Sequence, residues 1–244
     1  IQKSIKYNPK NADAYYNLGN IFQKIKDDSK AIFNYQNAVK LNPKYIKAHY
    51  NVGKIYFEDK KYKESLIEYK RALKINPNYI DAIINIGTLF VTIKNLKEAE
   101  KFFKQGISIN QNNSKLYYNY ATVLQGLEKY ENAAFNYKKA IEIEQNYPRA
   151  YNNLGLVYKK LNKFSDSLLC FKKAIDQDPN YALAYNNLGN VFDTMCKHES
   201  AIKAYKKSIE LDSKKLATRW ALMNTFPVIY LDKKDIQKYK KKFS

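Results

Sequence analysis

Asparagine amides are the side chains best placed to do chemistry in this chain. Asn17, Asn51, Asn85, Asn119, Asn153 and Asn187 recur every 34 residues. Asn is a mediocre helix former with donor and acceptor sites to satisfy, so its regular return within helical sequence calls for a reason. Composition alone would scatter it. A side-chain amide offers one acceptor and two donor hydrogens, and can therefore pair with the N–H and C=O of a second chain while ignoring its side chains. Tyr16, Tyr50 and Tyr118 precede three of these asparagines and are the candidate flanking contacts. These nine residues form the candidate peptide-binding set.

Catalytic chemistry is not expected. The chain lacks G-x-G-x-x-G, G-x-x-x-x-G-K-[ST] and H-E-x-x-H. His49 and His198 are the only histidines. His49 occupies a site where other repeats carry Tyr15, Tyr117, Tyr151 and Tyr185, which reads as packing. His198 falls in a predicted turn. Cys170 and Cys196 form no C-x-x-C, so neither a disulfide framework nor a zinc site is expected, and a reducing, intracellular setting is the simplest reading. No cofactor or metal is expected. No run of 18 apolar residues suggests a membrane span, and no signal peptide follows Ile1. The chain reads as a segment of a longer cytoplasmic or nuclear protein.

The elements that must position the amides follow from other series of the same period. Gly19, Gly53, Gly87, Gly155 and Gly189 recur, with Ala121 filling the gap. Ala31, Ser65, Ala99, Ala133, Ser167 and Ala201 form a small-residue series, and Ala38, Ala72, Gly106, Ala140, Ala174 and Ser208 another. Aromatics recur at Tyr35, Tyr69, Phe103, Tyr137, Phe171 and Tyr205. Pro9, Pro43, Pro77 and Pro179 mark the breaks, with Gln111, Gln145 and Ser213 in the same register. Two helices per repeat approach closely only where side chains are small, aromatics fill the space between them, and Pro closes the second helix. Counting Ala12 as position 1, helix A is predicted over positions 2–14 and helix B over 18–31, an all-α chain.

This pattern resembles the tetratricopeptide repeat, a 34-residue helix-turn-helix unit. The resemblance implies six tandem repeats over 12–215: 12–45, 46–79, 80–113, 114–147, 148–181 and 182–215. Residues 1–11 would end a truncated preceding repeat. The family's geometry is a right-handed superhelical solenoid with helix A on the concave face and helix B on the convex face. Residues 216–244 depart from the pattern and are expected to form a helical cap or connector. Trp220, Leu222 and Phe226 are available for burial, Pro227 stops the helix, and Ile236, Tyr239 and Phe243 share a face of a short last helix. The wording LMNTFPVIYLDKKDIQKYKKKF resembles the connector to the catalytic half of SPINDLY-type and O-GlcNAc-transferase-like glycosyltransferases. The repeats of O-GlcNAc transferase carry a similar Asn ladder. These likenesses imply a non-catalytic substrate-recognition region of an enzyme that modifies Ser or Thr. The carboxylate clamp of chaperone co-factors is not present: position 5 reads Tyr16, Tyr50, Ile84, Tyr118, Asn152 and Asn186 rather than Lys, and position 6 is never Arg.

Net charge is +20, from 43 Lys and Arg against 23 Asp and Glu. Much of it falls late in helix B, at Lys70, Lys104, Lys138, Lys172 and Lys206 and at Arg71, Lys139, Lys173 and Lys207, where cations suit the helix dipole and should face solvent. No aromatic–basic alternation marks a base-stacking platform, so nucleic acid is not the expected partner. The expected partners are proteins or peptides held in extended conformation, with a preference for acidic ones. The alternative is a structural scaffold arm of a ciliary or cell-cycle assembly.

Overall fold

Between helix A and helix B of each repeat one residue swings into the left-handed region. Lys26, Lys60, Lys94, Glu128, Asn162 and Cys196, all at repeat position 15, have φ of 56–61°. The next residue then reaches back over the helix end: the Asp27 N–H donates to the Phe22 carbonyl at 2.9 Å, and Lys61, Asn95, Lys129, Lys163 and Lys197 repeat the bond at 2.8–2.9 Å. Such bonds satisfy carbonyls that a helix C-terminus leaves unpaired.

The computed structural model describes residues 8–212 together with Thr218 and Ala221. Among them lie twelve helices and no strand. They are α1 (Ala12–Lys24), α2 (Asp28–Leu41), α3 (Ile46–Glu58), α4 (Tyr62–Ile75), α5 (Ile80–Thr92), α6 (Leu96–Ile109), α7 (Ser114–Gly126), α8 (Tyr130–Ile143), α9 (Pro148–Lys160), α10 (Phe164–Gln177), α11 (Ala182–Thr194) and α12 (His198–Leu211). Odd-numbered helices are A and even-numbered are B. Each starts and ends one residue earlier than the periodicity predicts; Tyr45, Tyr79, Tyr147 and Tyr181 at position 34 are N-caps of helix A, and position 15 has already left it. His198 is consequently the first residue of α12 rather than a turn residue. The expected cap, with Trp220, Phe226, Ile236, Tyr239 and Phe243, lies outside the described residues, as do residues 1–7.

Two compact units divide the chain, Ile1–Val123 and Leu124–Ser244, and the division falls inside α7. In the first, α1 packs on α2, α3 on α4 and α5 on α6, while α2 also packs on α3 and α4 on α5. In the second, α9 pairs with α10 and α11 with α12, and α8 packs on α9 and α10 on α11.

In five of the six repeats a glycine stands opposite the aromatic ring of the partner helix. A Cβ on Gly19 would lie 2.6 Å from the Tyr35 ring, on Gly53 2.7 Å from Tyr69, and on Gly155 2.8 Å from Phe171. Those rings are fully buried. Burying one stabilises by about 1.5–3 kcal/mol; in the fourth repeat Ala121 stands in the glycine position and Tyr137 is buried all the same. The small residues of helix B supply the second close approach, and where they are Ser the hydroxyl is used: Ser65 Oγ donates to the Gly53 carbonyl and Ser167 Oγ to the Gly155 carbonyl, each at 2.7 Å. The lysines of position 25 are exposed as expected. Lys139 and Lys207 at position 26 are half-buried and pair with Glu142 and Glu210 at 2.8 and 2.7 Å.

Candidate peptide-binding face

Helix A presents positions 5 and 6 side by side, and the first unit joins them across neighbouring repeats. Asn51 Nδ2 lies 3.3 Å from each of three acceptors: the Tyr16 hydroxyl, Asn20 Oδ1 and the Tyr35 hydroxyl. Asn85 Nδ2 repeats the arrangement one repeat on, 3.2 Å from the Tyr50 hydroxyl and 3.3 Å from that of Tyr69. Each amide thus ties its helix to the A helix and to the buried aromatic of the repeat before. Tyr16 is held by Tyr45, stacked at 5.0 Å, and by Tyr35, tilted at 5.6 Å. Tyr50 meets Tyr79 edge-on at 5.4 Å and Tyr69 at 5.9 Å. Asn85 also lines a cleft of about 100 Å³ with Lys54, Phe57, Glu58, Tyr69 and Thr88. Asn17 is exposed, and Asn119 and Tyr118 are half-buried.

The second unit uses the same positions differently. Asn187 is only 6% exposed and donates from Nδ2 to Asn152 Oδ1 at 2.9 Å. Asn152 is fully buried and donates in turn to Asn153 Oδ1 at 3.2 Å. Position 6 therefore spans the range from exposed at Asn17 to buried at Asn187.

Several polar residues complete this network without a repeat-wide signature. The Tyr35 hydroxyl donates to Asn20 Oδ1 at 2.8 Å and lies 3.0 Å from Gln23 Oε1; the Tyr205 hydroxyl donates to Asn190 Oδ1 at 2.8 Å. The signal lay in a coincidence of two series: Asn20 and Asn190 accompany Tyr35 and Tyr205, whereas Leu156 accompanies Phe171. A buried phenol needs a partner and a phenyl ring does not. Asn152 was foreshadowed only by the change from Tyr to Asn at position 5.

Burial pushes the Tyr35 phenol up to about 12 and raises Tyr50 and Tyr69 as well. These hydroxyls are neutral donors at physiological pH. His49 is buried as expected, and its Nδ1 lies 2.7 Å from Glu68 Oε2, whose other oxygen pairs with Arg71 at 2.5 Å. Among the described residues no group of His, Cys, Asp and Glu could hold a metal, and no helix is long and apolar enough to cross a membrane.

Family models described as tetratricopeptide repeats match residues 12–45, 53–94, 80–113, 126–162, 148–181 and 182–215. No curated protein matches the chain. Among solved structures, YrrB, "a TPR protein with an unusual peptide-binding site", is 22% identical with a TM-score of 0.63, over 77% of this chain and 96% of that one. PilF of Pseudomonas aeruginosa is 16% identical with a TM-score of 0.73, over 86% and 95%. The APC/C hetero-tetramer Cut9-Hcn1 is 13% identical with a TM-score of 0.74, over 93% of this chain and 45% of that one. At these identities the likeness is one of fold. With repeat models over most of its length and paired helices in the same register, the chain belongs to the tetratricopeptide-repeat family.

Proposed function

We propose that this chain is a protein-interaction module that holds extended polypeptide segments along the face carrying helix A position 6. The observation that carries the reading is the recurrence of Asn17, Asn51, Asn85, Asn119, Asn153 and Asn187, flanked by Tyr16, Tyr50 and Tyr118. Packed helices lie about 8–10 Å apart and an extended chain advances about 3.3 Å per residue, so within a unit one rung meets every third peptide residue. The Asn ladder and the wording of residues 222–243 further suggest the recognition arm of a SPINDLY- or O-GlcNAc-transferase-like enzyme acting on Ser or Thr. Exposed lysines on helix B favour acidic partners. A second reading, a scaffold arm, draws on helix B, where Phe33, Ile67, Phe135 and Leu169 are 50–61% exposed at one repeat position.

Replacing Asn85, Asn119 and Asn153 together with Ala tests the first reading. Each lost neutral hydrogen bond is worth about 1 kcal/mol, so the triple variant should bind a panel of unrelated unstructured peptides up to roughly 100-fold more weakly with helical content retained. Unchanged affinity across the panel would remove the ladder as the grip.

A further inference from the structure

The six asparagines look alike in sequence but are not equally available. In the first unit, Asn51 and Asn85 commit their Nδ2 groups to tyrosine hydroxyls and, at Asn51, to Asn20 as well. Their Oδ1 atoms have no partner among the described residues and are not sealed in the interior. The hydroxyls of Tyr16 and Tyr50 each receive an amide N–H, and no acceptor for their own hydrogen occurs among the described residues. A phenol that accepts a hydrogen bond becomes a better donor through mutual polarisation. Each of these two rungs thus offers one acceptor and one donor, carried by two different residues from adjacent repeats.

The third rung differs for a reason visible in the chain. The residues that would hold the Asn119 amide are Ile84 at position 5 and Phe103 in the buried aromatic series, and neither carries a hydroxyl. The Asn119 side chain has no hydrogen bond among the described residues and is half-buried. In the second unit the same functions are spent. Asn187 is buried against Asn152, and Asn153 Oδ1 accepts from Asn152 Nδ2. The residue at position 5 of the repeat before Asn187 is Asn152 rather than Tyr, so no hydroxyl is supplied at that rung.

We propose that backbone reading is confined to the first unit. Asn51 and Asn85 accept peptide N–H groups at Oδ1, the Tyr16 and Tyr50 hydroxyls donate to peptide carbonyls, Asn119 does both with a single amide, and Asn187 is a structural tie. This rests on the groove reading above and goes past it, because it divides the rungs into those that grip and one that cannot. The preferred ligand is a segment with both N–H and C=O free along its backbone; a proline at a rung removes the donor that Asn51 or Asn85 would accept.

The test uses the full chain and two probes. N-methylacetamide, which is one peptide bond with one donor and one acceptor, is titrated into isotopically labelled protein while the side-chain amide signals of Asn51, Asn85, Asn119 and Asn187 are followed by NMR. The first three should move and Asn187 should not. Tyr16→Phe and Tyr50→Phe should each suppress the response of their own rung. Both variants keep the fold, because Asn51 retains Asn20 and Tyr35, and Asn85 retains Tyr69, all at 3.3 Å. Comparable movement at Asn187, silence at the three rungs, or indifference to the Phe substitutions overturns the assignment. The second probe is the panel of unrelated unstructured peptides, whose affinity should fall about fivefold per Tyr→Phe change. Peptides that bind the double Phe variant undiminished overturn the assignment and leave the groove reading intact. Failure of every peptide to bind, with N-methylacetamide still marking the three rungs, sinks the groove reading alone.

Discussion

Asn17→Ala and Asn187→Ala are the same chemical change at the same repeat position, yet they should move stability in opposite directions. Alanine is the better helix former by about 0.7 kcal/mol, and both sites are interior to a helix. At Asn17 the side chain is exposed, so the propensity gain is the main effect and the variant should be stabilised by roughly 0.5 kcal/mol. At Asn187 the substitution removes a 2.9 Å bond and leaves Asn152 Oδ1, on a fully buried residue, without its donor. Stranding a buried acceptor costs about 1–3 kcal/mol. Subtracting the propensity gain leaves a net loss of roughly 1.5 kcal/mol. Because repeat arrays open locally, native-state hydrogen exchange is the right assay, read at amides of α1 for one variant and α11 for the other. Protection should rise slightly in α1 and fall about tenfold in α11. Equal and same-signed changes at both sites would falsify the division of the rungs into exposed and tied.

Other consequences can be checked with simple measurements. Lys94 holds a left-handed conformation at φ 60°, which costs a non-glycine residue about 1 kcal/mol, so Lys94→Gly should raise the midpoint of urea unfolding; a fall would show that the Lys side chain contributes more than the strain costs. Cys170 is buried and its thiol is pushed up to about 12, mainly by burial and further by Asp166, while Cys196 is exposed. Iodoacetamide at mildly alkaline pH should therefore label Cys196 and spare Cys170 until the chain unfolds, as peptide mapping by mass spectrometry would reveal. The raised phenols link stability to alkaline pH. Burial holds Tyr35 at about 12 in the folded chain against 10.0 when unperturbed, so the stabilisation is complete below about pH 10 and is lost as pH climbs toward 12. A melting temperature that stays level over that window would show that burial of these rings does not govern their ionisation.

The sequence by itself determined the repeat, its period, the order of paired helices and the core. Those features are written in residue types that recur in place, because a Gly facing a buried ring or an Ala at a helix crossing has few substitutes. Pro and the small-residue series brought the predicted helix ends within one residue. The remaining shift came from position 15, where Lys, Glu, Asn and Cys adopt a left-handed turn that glycine would have announced. The placement of the six asparagines was equally legible, and their fates were not. Whether an amide is tied or open depends on what stands one repeat earlier: Tyr16 for Asn51, Ile84 for Asn119, and Asn152 for Asn187, 35 residues away in the chain. Only the stacking of one hairpin on the next brings those residues within hydrogen-bond reach. A pattern of period 34 marks positions as equivalent, whereas the tertiary contact between unlike neighbours makes them different.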